Sequence, residues 1–102
     1  MQKPHENNIH AAQKNLEKFE EHLISYHSEQ NHEKRDTLER YLDDTLLVIK
    51  ADLEIIGKRG THKEIGQIVK EYEAFKQSNS DNDYAALGQD LQTVKQFLNE
   101  IG

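Results

Sequence analysis

Histidine is the residue type with the clearest potential for chemistry in this sequence. The chain has six histidines. Five of them fall within its first third: His5, His10, His22, His27 and His32. Imidazole nitrogens bind transition metals and exchange protons near neutral pH. The spacing of these residues decides whether they can act together.

That spacing argues against a metal site. Two ligands on one helix must stand three or four residues apart to share a face. His22, His27 and His32 follow one another at intervals of five, which leaves successive side chains about 140° apart around a helix. Glu29 stands three residues before His32, but no other glutamate precedes a histidine in this way, so the second pair of a di-metal bundle is missing. We expect no bound metal and no cofactor.

Covalent catalysis finds little support either. Ser25 lies three residues after His22, a proximity that a histidine-rich segment produces by chance. No nucleophile elbow and no glycine-rich phosphate loop is present. The chain has no cysteine, which excludes thiol catalysis, cysteine-ligated zinc and disulfides. We expect a protein that is not an enzyme. The alternative is a metal-dependent or hydrolytic enzyme that uses the His- and Glu-rich N-terminal region.

The elements that position these residues follow from the spacing of the apolar side chains, which make up 34% of the chain. The first series steps by three and four residues, as in a helix that buries one stripe. Three further series repeat that period, and none alternates as a strand would. The sequence therefore predicts four helices, over about 8–28, 33–58, 62–77 and 83–101. The first series is Ile9, Ala12, Leu16, Phe19, Leu23 and Tyr26.

The connections between these helices are short. A polar stretch predicts a turn near Asn31, Gly57 and Gly60 mark the end of the second helix, and residues 77–82 read as a loop. Short connections favour antiparallel neighbours, so we predict a single domain over 1–102, an all-α, up-and-down four-helix bundle. A three-helix bundle with the first two helices fused is the alternative. Gly66 and Gly88 fall inside predicted helices, where we expect close helix packing.

Charge and hydropathy bound the choice of partners. Acidic residues outnumber basic ones 19 to 13, for a formal net charge of -6. The acidic excess lies in the first and last helices, and no basic stripe is present, which argues against nucleic-acid binding. No apolar run approaches the length of about 18 residues that a transmembrane segment needs. The N-terminus does not read as a secretion signal, so we expect a cytoplasmic location.

The histidines also suggest pH-dependent association. Protonation of all six would move the formal net charge from -6 to 0 and remove the repulsion between copies. Light scattering between pH 7 and pH 5 tests this hypothesis, and scattering that stays constant would refute it.

The second helix carries more apolar residues than one stripe needs. Tyr41, Val48 and Ile55 lie about 110° from the centre of its main stripe, and Leu47 lies almost opposite that centre. A central helix buries a wide arc, so we expect these three to be core or boundary residues, whereas Leu47 is harder to bury. Ile24 and Phe97 also lie off their stripes. If they join into one patch, the candidate partner interface comprises Tyr41, Leu47, Val48, Ile55, Ile24 and Phe97.

These observations favour a protein that acts by protein–protein interaction, as a regulator, an inhibitor, an immunity-type module or a homodimer. In size and bundle architecture the chain resembles the bacteriocin immunity proteins of lactic-acid bacteria. That resemblance implies a helical bundle with an immunity-type role. The acidic balance does not favour a role at an anionic membrane surface.

Overall fold

The computed structural model describes residues 6–57 and 62–101, and within these ranges the chain forms four helices. They are α1 (Glu6–Ser28), α2 (His32–Ile56), α3 (His62–Ser78) and α4 (Asp81–Ile101). The predicted all-α four-helix bundle is confirmed. The alternative with the first two helices fused is wrong, because a break at residues 29–31 separates α1 from α2.

Asn31 makes the turn between α1 and α2. Its backbone is extended (φ -76°, ψ 121°), and its side-chain oxygen accepts the backbone N–H of Lys34 at 3.1 Å, which caps the start of α2. A carboxylate oxygen of Glu29 accepts the N–H of Asn31 at 3.0 Å. These side chains satisfy backbone groups that a continuous helix would satisfy itself, so the chain can reverse here without Gly or Pro.

Every helix bound lies within two residues of its predicted position, and hydrogen bonds explain two of the differences. Helix α2 ends at Ile56 because Gly57 takes the left-handed conformation (φ 61°) and donates its N–H to Leu53 O at 3.0 Å. Helix α4 starts earlier than expected because the hydroxyl of Ser80 accepts the N–H of Asp83 at 3.2 Å. The loop is therefore only residues 79 and 80, with Asn79 at φ 49°. Gly60 and His5 lie outside the described residues, as does the side chain of His62.

One apolar core fills the bundle. Helix α1 packs against α2 and α4, and α3 completes the ring between α2 and α4. All six residues of the first predicted series are buried. Phe19 meets Tyr72 edge-on, with ring centroids 5.5 Å apart. The bundle extends 48 Å along its axis, and within the described ranges no helix combines the length and apolar character needed to cross a membrane.

The expectation of close helix packing at two helical glycines is wrong. A Cβ atom placed on Gly66 or Gly88 would meet nothing within 4 Å. Neighbouring helices do not approach these positions, so packing does not require glycine at either of them.

Candidate interaction surface

The outward face of α2 carries an exposed apolar strip. Tyr41, Leu47, Val48 and Ile55 have exposed fractions of 57%, 65%, 48% and 53%, and the small residue Ala51 between them is also exposed. Residues three, four or seven apart are neighbours on a helix surface, so these side chains join along one face. We call these five residues the α2 ridge.

The expectation that Tyr41, Val48 and Ile55 belong to the core or its boundary is therefore wrong. The buried arc of α2 is already filled by its main stripe, which includes Leu42, Ile49 and Leu53, each fully buried. Only α1 and α3 flank α2 in the ring of helices. Side chains more than about 100° from the buried stripe therefore point outward and meet at most the edges of α1 and α3.

Open grooves border the ridge on both sides. Between α1 and α2 a groove of about 470 Å³ is lined by residues that include Lys18, His22, Tyr41 and Val48. The rings of His22 and Tyr41 stack, with centroids 5.2 Å apart, and Nδ1 of His22 donates to Lys18 O at 2.7 Å. A second groove, of about 260 Å³, lies between α2 and α3, and Leu47 forms part of its wall.

The remaining two candidate interface residues do not belong to this strip. Ile24 is 58% exposed, but it lines a groove between α1 and α4, together with Tyr84 and Gly88. Phe97 is half-buried on α4. The six candidates therefore fall on more than one face, and the four on α2 form the largest group.

The described histidines take different places in the bundle. His10 is exposed on α1, and His32 is almost fully exposed at the start of α2, 3.6 Å from Asp36. His22 stacks on Tyr41, as described above. Across residues 6–57 and 62–101, no group of three or more His, Cys, Asp or Glu side chains is placed to hold a metal ion.

His27 is a joint between helices. Its Nε2 lies 2.9 Å from a carboxylate oxygen of Asp81, and its Nδ1 lies 3.3 Å from the side-chain oxygen of Asn79. Its ring stacks on Tyr84 and tilts against Phe75, with centroids 4.4 Å and 5.4 Å away. The last turn of α1 is thereby fastened to the α3–α4 connection. Sequence spacing gave no sign of this role, because every partner lies more than 45 residues away.

A charged network on Lys76 joins α2 to α3. The side chain of Lys76 is only 14% exposed, and its ammonium group lies 3.1 Å from Glu73, 3.2 Å from Asp43 and 3.6 Å from Glu39. The hydroxyl of the buried Tyr72 donates to the same oxygen of Asp43 at 2.6 Å. The amino-acid sequence gives little sign of this network. The one available signal was a tyrosine in a core stripe, whose hydroxyl needs a partner.

The network also shifts protonation equilibria. Burial, and then the hydrogen bond to Asp43, raises the pKa of Tyr72. Burial acts to lower the pKa of Lys76, but its hydrogen bonds to Glu73 and Asp43 outweigh that effect, so the pKa rises. Both groups are held in their protonated forms at neutral pH, as a structural contact requires.

A pair of carboxyl groups faces across α3 and α4. Burial raises the pKa of Glu71, and the neighbouring Asp90 raises it further, while the amide of Gln67, which donates to Glu71 at 2.9 Å, acts in the opposite direction. The pair is a local source of repulsion between these two helices.

Fold and surface together define this chain as an all-α four-helix bundle with an apolar ridge on one outward helix face. Comparison with protein-family models, with curated proteins and with solved structures finds no significant match. No family model therefore supports the architectural resemblance to bacteriocin immunity proteins.

Proposed function

We propose that this protein is a non-enzymatic interaction module that binds a protein partner through the α2 ridge, as a regulator, an inhibitor or an immunity-type protein. The observation that carries the proposal is the exposure of four large apolar side chains on one face of α2. Burying such surface stabilises a complex by about 25 cal/mol per Å² before the costs of association. Large continuous apolar patches are uncommon on monomeric proteins and often mark interaction sites.

The polar side chains support the same proposal. His27 and Lys76 each contact two or more polar side chains, and these contacts hold helices together. Catalytic groups converge on a pocket that excludes water, whereas both grooves beside α2 are open. We therefore favour binding over catalysis.

The proposed partner is a protein and not a nucleic acid. With a formal net charge of -6 the surface would repel phosphates. The chain has no cysteine and needs no oxidising compartment to form disulfides, and we propose that it acts in the cytoplasm.

The test compares charge placed on the ridge with the same charge placed elsewhere. Val48→Glu and Leu47→Glu introduce a carboxylate on the ridge, and Ile24→Glu introduces one at an equally exposed apolar position between α1 and α4. All three are exposed helix positions, so circular dichroism should show unchanged helicity.

A partner identified by affinity capture is then purified and titrated against each variant. We expect the two ridge variants to bind it about tenfold more weakly or worse, and Ile24→Glu to bind it as the wild type does. Ridge variants that bind every captured partner as tightly as the wild type does would overturn the proposal.

A further inference from the structure

The outward face of α2 has an internal symmetry. Two rows of side chains run along it, each with a spacing of seven residues, which is close to two helical turns. The first row is Arg40, Leu47 and Glu54, and the second is Tyr41, Val48 and Ile55; all six are exposed. Each row places one aliphatic residue at its centre. The second row ends in two large apolar side chains, and the first ends in opposite charges.

Such a pattern on one α2 helix is complementary to the same pattern on a second α2 helix that runs in the opposite direction. When two α2 helices lie antiparallel about a twofold axis between positions 47 and 48, Arg40 of one copy meets Glu54 of the other, and Tyr41 meets Ile55. Leu47 and Val48 each lie near their own counterparts at the axis. A twofold dimer uses the same surface patch on both copies, so each row contacts the same row of the second copy.

From this symmetry we infer that the occupant of the α2 ridge is a second copy of this chain, bound antiparallel through α2. The inference rests on the proposed function, because it names the partner of the same surface. A parallel twofold pair would instead set each row against the other row, so Arg40 would face Tyr41, Glu54 would face Ile55, and neither charge would meet its opposite.

The dimensions of the ridge suit such a pair. Tyr41 and Ile55 are 14 positions apart, so the contact runs for about 21 Å along the helix. Within the described ranges Arg40 and Glu54 form no ion pair of their own, so both charges are available to the second copy. The grooves on either side of α2 are open, so α1 and α3 leave the contact face of α2 uncovered.

The first experiment measures the dissociation constant of the full-length dimer by sedimentation equilibrium from micromolar to millimolar concentration. We expect a monomer–dimer equilibrium that Val48→Glu weakens about tenfold or more and Ile24→Glu leaves unchanged. Arg40→Glu alone and Glu54→Arg alone should each weaken the dimer, and the double variant should restore it, because the pairs are re-formed with reversed polarity. A double variant as weak as the sum of the two single variants would overturn the antiparallel pairing.

The second experiment uses the absence of cysteine from the chain. A disulfide needs Cα atoms about 4.4–6.8 Å apart, so mild oxidation should link Leu47→Cys to itself at the axis. Tyr41→Cys should not link to itself, but it should link to Ile55→Cys when the two variants are mixed. Self-linkage of Tyr41→Cys as fast as that of Leu47→Cys would overturn the geometry.

The two proposals fail in different ways. A wild type that stays monomeric throughout the range, and whose purified protein partner loses affinity for Val48→Glu but not for Ile24→Glu, overturns the second copy and leaves the proposed function standing. A monomer whose ridge variants bind every partner normally overturns both.

Discussion

The imidazole ring of His27 lies almost parallel to the ring of Tyr84, with centroids 4.4 Å apart and an interplanar angle of 13°. The first residue sits in the last turn of α1 and the second in the first turn of α4. Stacking joins two helix ends that the chain separates by more than 50 residues. The most chemically versatile side chain in this histidine-rich segment thus has a structural role.

Removing this joint should destabilise the bundle. His27→Ala loses the stack and the hydrogen-bonding contacts to Asn79 and Asp81, and we expect the free energy of unfolding to fall by about 1–3 kcal/mol in urea denaturation. His32→Ala is the matched control, because that ring is 91% exposed and contacts only Asp36 at 3.6 Å. A control that costs as much as His27→Ala would show that the joint contributes nothing specific.

The hydroxyl of Tyr72 gives the α2–α3 interface a dependence on alkaline pH. Because the folded-state pKa is raised, the stability that this group contributes is fully present below the unfolded value of about 10 and is lost as the pH rises above it. Tyr72→Phe should cost about 1 kcal/mol at neutral pH, by removing the donor to Asp43. The free energy of unfolding of this variant should also fall less steeply as the pH rises from about 10 to about 11.

Tyr41→Phe serves as the control for this experiment, since its hydroxyl belongs to an exposed side chain. Urea denaturation at several pH values gives the pH dependence of the free energy of unfolding for the wild type and each variant. Parallel pH dependences in wild type and Tyr72→Phe would contradict the assignment of the alkaline loss to Tyr72.

The carboxyl pair on α3 and α4 predicts a stabilising substitution. The raised pKa of Glu71 means that its ionised form costs folded-state stability, a cost present in full above the folded-state pKa and relieved as the pH falls through it. Glu71→Gln should therefore stabilise the protein at pH 7 by about 0.5 kcal/mol. This gain in the free energy of unfolding should become smaller as the pH falls towards 4.5. Glu17→Gln, an exposed position on α1, controls for the change in net charge.

The two open glycines predict a gain of another kind. A helical glycine costs about 1 kcal/mol relative to alanine, and the space around both Cβ positions is free. Gly66→Ala and Gly88→Ala should each raise the midpoint of thermal unfolding, by about 4–8 °C for a domain of this size. A lower midpoint for either variant would contradict the prediction that alanine fits at that position without cost.

The periodic spacing of apolar residues was enough to predict the helices of this fold. Leu16, Phe19 and Leu23 follow one another at steps of three and four, and only a helix puts that spacing on one face. The turn at Asn31 was found from the loss of the stripe. The helix ends were less predictable. Gly60 could end α2 as well as Gly57, and Ser78 could cap α4 as well as Ser80.

Burial on α2 could not be predicted in the same way. Periodicity gives the angle of Val48 relative to the core stripe, but how wide an arc is buried depends on how many helices surround α2. The Lys76 network has the same limit, because it depends on the register between α2 and α3. Sequence alone could identify Tyr41 and Leu47 as surplus apolar residues, and only the packing of the helices could show which way they face.

Asp44 is the one carboxylate between the two rows of the α2 face, and it offers a test of the proposed pairing. In the antiparallel arrangement its position falls opposite Ala51 of the second copy, where the charge loses water and finds no basic partner directly across. Asp44→Ala should therefore tighten the dimer, lowering its dissociation constant about three- to tenfold in sedimentation equilibrium. Glu17→Ala removes the same unit of negative charge from an exposed position on α1. If it tightened the dimer equally, general charge repulsion rather than position would explain the effect, so the prediction requires that only Asp44→Ala does so.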